Sequence, residues 1–239
     1  MMLINKLNVF QLTLVAIVSI TLTACGNDDN NDSMTSTPSP VMEYGYEVTV
    51  TNLTYGQPLS PITVTLHGNT KMWQVGMSAS TAIEMLAEGG DNSSLINLDG
   101  VVTSSSTQAP LAPGLTETVS ITTTETMATH LTVATMLVNT NDAFSGLTGL
   151  ELASLVVDSP QSWTLPVYDA GTEKNSESIG TIPGPADGGT GFDALRDDID
   201  LVAMHPGVVS QDDGLSNSVL TQVHRFDNPS IKLTITRTK

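Results

Sequence analysis

Tyr46-Glu47-Val48-Thr49-Val50-Thr51 is the stretch that decides the fold class. Its residues alternate with period two, so Tyr46, Val48 and Val50 share one face of a predicted β-strand. Residues 131–138 are nearly all β-branched or apolar, which is typical of a central strand buried on both faces. Alternation like that of the first stretch recurs in residues 62–67, 117–123 and 231–237.

Few other segments carry a regular pattern. Residues 163–167 predict an edge or bulged strand, because the proline within them cannot donate to a strand ladder. A capping-box spacing from Thr81 to Glu84 predicts one helix, and residues 216–223 predict another short helical turn. Residues 169–200 follow no periodic pattern and predict a long loop. We therefore expect an all-β fold, an antiparallel β-sandwich with few short helices and long acidic loops.

The first 24 residues have the layout of a lipoprotein-type signal peptide. Lys6 is their only charge, and residues 9–22 form a short, mostly apolar centre. The exit Leu22-Thr23-Ala24-Cys25 resembles the lipobox of bacterial lipoproteins, which implies that Cys25 carries a lipid. The alternative is an ordinary cleavage site followed by a chance cysteine.

A polar segment follows the predicted lipid site. Residues 25–43 contain too little apolar surface to fold and predict a flexible tether between the lipidated Cys25 and a domain of residues 44–239. The expected location is therefore exported and lipid-anchored to the cell envelope. No aspartate follows Cys25 directly, which in a Gram-negative cell resembles the signal for sorting to the outer membrane rather than for retention in the inner membrane.

The charge balance is strongly acidic. The chain has 25 acidic and 8 basic residues, a formal net charge of −17. Phosphate backbones would repel such a surface, so we expect no nucleic-acid partner. Because Cys25 is the only cysteine, the domain must be stable without an internal disulfide.

Two acidic loops are the candidate functional feature. Residues 140–146 include Asp142, and residues 168–173 include Asp169 and Glu173; each loop follows a predicted strand. Hard cations such as Ca2+ need 6–8 oxygen ligands, and clustered carboxylates supply them. The alternative is that these are solvated turn residues, since Asp and Gly favour turns in any case.

Several of these segments together resemble the spondin domain, a calcium-binding β-sandwich of matrix proteins. The sharpest element is Tyr168-Asp169-Ala170-Gly171-Thr172-Glu173, which resembles an aromatic-Asp-Ala-Gly-Thr-Asp motif of the animal domains. The resemblance extends from residues 46–54 to the last strand. It implies that Asp142, Asp169 and Glu173 hold Ca2+, with Glu173 standing where the animal motif has aspartate. It also implies a role in adhesion or extracellular-matrix association, with a matrix or cell-surface protein or glycan as partner.

Two other functions stay open at this point. Aspartates within residues 187–200 could serve a carboxylate-based surface hydrolase, although a solvated acidic loop is the favoured interpretation. A purely structural envelope protein is the other alternative. No Gly-x-Ser-x-Gly elbow occurs, and the four dispersed histidines are predicted to be strand or loop residues. We therefore expect a binding module and no enzymatic activity.

Overall fold

The structure, a computed structural model, describes residues 40–68 and 71–239. The predicted signal peptide, the lipid site at Cys25 and most of the tether lie outside these residues. The strands are β1 (Tyr44–Asn52), β2 (Thr63–His67), β3 (Val101–Ser106), β4 (Thr116–Thr123), β5 (His130–Met136), β6 (Ala143–Glu151), β7 (Gln161–Leu165), β8 (Val167–Asp169), β9 (Ala203–Met204) and β10 (Ile231–Arg237). The helices are α1 (Thr81–Gly89) and α2 (Ser93–Ile96), with single 3-10 turns at Leu152–Ser154, Gln211–Asp213 and Gln222–His224.

The strands form two antiparallel sheets, which confirms the predicted β-sandwich. The smaller sheet has the order β4-β1-β10-β7, and the larger has the order β3-β2-β5-β6-β8-β9. Residues from both sheets share one buried cluster, in which Val48 faces inward from β1, Leu131 from β5 and Leu233 from β10. Burial of this apolar surface is the main force that holds the sheets together.

The outer face of the larger sheet is covered by α1. Ile83 and Leu86 of this helix are buried with Ala134 of β5 and Phe144 of β6, in a second cluster. Both faces of β5 are therefore covered, which explains its unbroken apolar sequence. All five residues of β2 are buried as well, although the sequence predicted a strand with one polar face.

The chain changes sheets at Pro166. The sequence predicted one edge or bulged strand over residues 163–167. The structure instead ends β7 at Leu165, on the edge of the smaller sheet, and begins β8 at Val167 in the larger one. Because proline has no N–H to donate, the crossing costs neither sheet a ladder hydrogen bond at that residue.

Other local expectations needed correction. The side chain that caps α1 belongs to Ser80, which accepts a hydrogen bond from the N–H of Ile83, rather than to Thr81. Residues 216–223 form turns, and a 3-10 turn begins only at Gln222. Three strands, β3, β6 and β9, were not predicted. In contrast, residues 170–202 hold no strand or helix, as expected.

One negative finding concerns membranes. Within residues 40–68 and 71–239, neither helix has the length and the apolar character needed to span a bilayer.

Candidate metal centre

Asp142 lies at the end of a tight turn that joins β5 to β6. The Thr140 hydroxyl donates to the carbonyl of Leu137 at 2.6 Å and accepts the N–H of Ala143 at 3.1 Å. These bonds fix the turn so that Asp142 directly precedes β6. Its side chain is fully buried, with 0% exposure.

Strand pairing brings Asp169 to the same place. Ala143, the first residue of β6, lies opposite Asp169, the last residue of β8. Asp142 therefore becomes the spatial neighbour of Asp169, although the two are far apart in sequence. Asp169 is also buried.

The backbone that follows β8 wraps around these two carboxylates. Gly171 donates its N–H to Oδ1 of Asp169 at 2.7 Å, and the N–H groups of Thr172 and Glu173 point to Oδ2 of Asp142 at 2.9 and 3.2 Å. Gly171 has a φ of 71°, and a Cβ there would lie 2.3 Å from the carbonyl oxygen of Leu201. Only glycine allows this close approach and this left-handed backbone together.

His205 is the third side chain at the site. His205 follows β9, which pairs with β8, and its backbone N–H donates to the carbonyl of Val167 at 3.0 Å. One ring nitrogen of His205 and one carboxylate oxygen each of Asp142 and Asp169 lie within 4.8 Å of one another. Calcium–oxygen distances of 2.3–2.6 Å allow opposite ligands to be about this far apart, so one ion could reach all three groups.

Several polar atoms at and around the site lack partners. Oδ1 of Asp142 and Nε2 of His205 are buried and have no hydrogen bond within the described part of the chain. The same holds for buried oxygens of Asn141, Asn175 and Glu177 nearby in sequence. A buried polar atom without a partner costs free energy, and most such atoms in native proteins are satisfied by protein, water or an ion. The free oxygens fit a hard cation.

The hydrogen bonds of His205 argue for a role other than direct ligation. Its Nδ1 accepts the N–H of Gly207 at 3.0 Å, so in the neutral ring the proton resides on Nε2. A metal-binding histidine usually donates from the nitrogen that does not bind the metal. The imidazole is therefore arranged as an N–H donor beside the carboxylates, which leaves the oxygens as the ligands.

Burial makes both aspartates poor acids, and repulsion adds to the effect at Asp142. Removal from water raises the pKa of Asp142 to about 7, and the neighbouring Asp169 adds to the rise. Burial likewise raises the pKa of Asp169. Burial also raises the pKa of Glu177, and repulsion from Asp169 adds to this rise. His205 cannot supply a compensating charge, because burial lowers its pKa to about 4. The site thus brings acidic groups together with no ion pair to a cationic side chain among the described residues, which favours a bound cation.

Glu173, the third ligand implied by the resemblance, lies beside the site and outside the group of three. Its N–H binds Asp142, but its carboxyl group is not among those within 4.8 Å of one another. Burial raises the pKa of Glu173 to about 8, and repulsion from Glu88 and Asp142 adds to the rise. A cation at Asp142 would lower this repulsion whether or not Glu173 touches it.

The long loop that carries Glu173 is tied to α1. Arg196 donates from Nε to Oε1 of Glu84 at 2.9 Å and from Nη2 to Oε2 at 2.7 Å, and it also binds Asp200 and the carbonyl of Ala79. Glu84 is only 3% exposed. This two-pronged contact supports the loop from the side that faces the helix.

The remaining acidic loop residues are mostly engaged in loop contacts. Asp197 pairs with Lys174 at 3.4 Å, and Asp200 pairs with Arg196. A cavity of about 300 Å³ is lined in part by Glu173, Asp193 and Asp197. Of these three carboxylates only Asp197 is paired with a lysine, so the hydrolase alternative stays a prediction.

Comparison with models of known protein families and with curated protein sequences gave no match. The similarity to the spondin domain stays a prediction from the residues quoted above.

Proposed function

We propose that this protein is an exported, lipid-anchored β-sandwich with a calcium centre, and that it acts in adhesion or extracellular-matrix association. The observation that carries the metal part is the buried pair of Asp142 and Asp169, with Oδ1 of Asp142 left without a partner among the residues that the structure describes. The anchor rests on the sequence around Cys25, and the adhesive role rests on the resemblance to the spondin domain.

Calcium is favoured by the chemistry of the donors. Besides Nε2 of His205, the polar atoms near the site that lack a partner within the described residues are carboxylate and amide oxygens, which suit Ca2+, Mg2+ and Mn2+. An imidazole ligand would favour zinc or copper, but Nδ1 of His205 accepts a backbone N–H. Calcium also tolerates irregular coordination better than magnesium, which suits ligands drawn from a strand turn and a loop.

The site stands where a cation would link distant parts of the chain. Asp142 belongs to the turn between β5 and β6, and Asp169 ends the strand from which the loop of residues 170–202 departs. A bound cation would neutralise both carboxylates and hold this loop against the sheet. Loops fixed at the end of a sandwich are where such folds carry their binding surfaces.

The metal is tested by thermal unfolding of the purified protein in chelator and in millimolar Ca2+, Mg2+, Mn2+ or Zn2+. At about 100 times its dissociation constant, the correct ion stabilises the folded state by about 2.7 kcal/mol, a rise in Tm of several degrees. The rise should be largest for Ca2+ and absent in Asp169→Asn. A larger response to Zn2+ that is lost in His205→Gln would assign the site to a different metal.

Adhesion and anchoring need separate assays. The immobilised protein should retain matrix polymers or cells in Ca2+ and release them in chelator. No retention in either condition would remove the adhesive role while leaving the metal centre intact. Lipid labelling of the expressed protein should be lost in Cys25→Ser.

A further inference from the structure

A second concave site lies at the opposite end of the sandwich from the metal centre. It is a cavity of about 290 Å³, placed where β1 begins, β10 ends and β6 gives way to the following turn. Tyr44, Tyr46 and Arg237 line one side, and Ala128, Glu151 and Leu152 line the other. Its volume is at the small end of the range of about 300–1,000 Å³ that is usual for pockets that bind small molecules.

Tyr46 is the buried polar group of this cavity. Its side chain is only 3% exposed and belongs to the central core cluster. Nevertheless it lines the cavity together with Tyr44 and Arg237. A tyrosine hydroxyl at a cavity wall can donate a hydrogen bond to a ligand group in the cavity.

Arg237 lies directly opposite Tyr46 in the pairing of β1 with β10. Its guanidinium carbon lies 5.5 Å from the centre of the Tyr44 ring, and Nε donates to the carbonyl of Lys239 at 2.8 Å. No carboxylate of the described residues lies within 4.0 Å of it, although Glu151 lines the same cavity. The two terminal nitrogens of Arg237 are therefore held in place by stacking and are still available as a pair of donors.

We propose that this cavity binds a single sugar unit, with ring hydroxyls between Arg237 and Glu151 and a further hydrogen bond to the Tyr46 hydroxyl. A sugar hydroxyl both donates and accepts, so it can satisfy the guanidinium and the carboxylate together. A simple anion would be repelled by Glu151, and a simple cation by Arg237. The tyrosine rings and the apolar side chains of Ala128 and Leu152 suit the C–H faces of a sugar ring.

The test is saturation-transfer NMR on the purified protein with glucose, galactose, mannose and N-acetylglucosamine, each at millimolar concentration. At least one sugar should receive saturation. Tyr46→Phe removes only the hydroxyl and should weaken binding by roughly five- to tenfold, and Arg237→Lys by about tenfold or more. Tyr55→Phe, which alters a tyrosine that is 82% exposed, is the matched control and should bind as the wild type does.

The same experiment separates this site from the metal centre. Binding should persist in chelator and in Asp169→Asn, so a failure of the calcium proposal would leave it unchanged. Lack of transfer to every sugar would overturn the assignment, as would transfer that neither Tyr46→Phe nor Arg237→Lys reduces. Transfer that requires Ca2+ would also overturn it, because the sugar would then bind at the metal.

Discussion

Replacement of Asp142 by asparagine should have opposite effects with and without calcium. Oδ2 of Asp142 accepts the N–H groups of Thr172 and Glu173, and the amide oxygen of asparagine can do the same. The amide nitrogen would then occupy the position of Oδ1, which has no hydrogen-bond partner in residues 40–68 and 71–239 and belongs to the cluster that includes Asp169. In chelator the substitution removes a buried negative charge, whereas in calcium it removes a ligand.

The magnitude follows from the pKa. Burial and Asp169 raise the pKa of Asp142 from 3.8 to about 7, so at pH 8 the folded protein must ionise a group that resists ionisation. Three pH units at 1.36 kcal/mol each correspond to about 4 kcal/mol as an upper value. Asp142→Asn in chelator should therefore stabilise the protein by about 2–4 kcal/mol, and raise Tm by roughly 5–12 °C. With Ca2+ at about 100 times its dissociation constant, the wild type gains about 2.7 kcal/mol and the variant gains little.

The assay is urea unfolding at pH 8, in chelator and in Ca2+, because it gives the free energy of unfolding directly. Asp99→Asn is the matched control, since Asp99 is exposed and away from the site. It should leave the free energy of unfolding unchanged both in chelator and in Ca2+. Equal destabilisation of Asp142→Asn in both conditions would refute the reasoning. It would mean that the carboxylate is structurally required without a cation.

Three further outcomes are expected. In chelator, the wild type should become more stable as the pH falls from 8 towards 5, because the folded protein protonates Asp142 near pH 7 whereas the unfolded chain keeps it ionised down to about pH 4. A pH series of Tm values measures this trend, and Ca2+ should abolish it. Gly171→Ala should lower Tm and weaken Ca2+ binding, measured by calorimetry, much more than Gly188→Ala does. Both glycines have a positive φ, but only at Gly171 would an added Cβ lie 2.3 Å from a backbone atom. Arg196→Ala should destabilise the protein by about 3–5 kcal/mol in urea unfolding, because Glu84 would be left charged and buried. Arg196→Lys should restore only part of that loss, since lysine cannot form the paired contact.

The sandwich could be predicted because its central strands have patterns that depend only on local burial. Residues 46–51 and 231–237 alternate, since one face of the smaller sheet is exposed. The strand β3 could not be predicted, because its sequence is Val-Val-Thr-Ser-Ser-Ser and all six residues are half-buried. Its sequence therefore shows no hydrophobic period. Likewise β6 begins with Ala-Phe-Ser-Gly and is buried on both faces at that end, where alternation has no reason to appear.

Only the part of the site that lies next to predicted strands could be predicted from the sequence. Asp142 and Asp169 could be paired because each follows a strand, and the register of β6 with β8 brings them together. His205 could not be placed, because it reaches the site through β9, a strand of only two residues at the end of a long loop. The burial of Glu88 beside the site could not be predicted either. Glu88 lies on α1, and it is buried because the long loop packs over this helix, a tertiary contact that leaves no local sequence pattern.

The position of β10 has a consequence for how the chain is made. It is the last strand in sequence, yet it lies between β1 and β7 in the smaller sheet. A chain delivered from its N-terminus, by a ribosome or through a secretion channel, cannot close that sheet until residues 231–237 have emerged. Until then β1 keeps one hydrogen-bonding edge open, and such edges recruit other chains. Yield in the cell should thus depend more on holding the nascent chain apart from its neighbours than on the final stability of the sandwich.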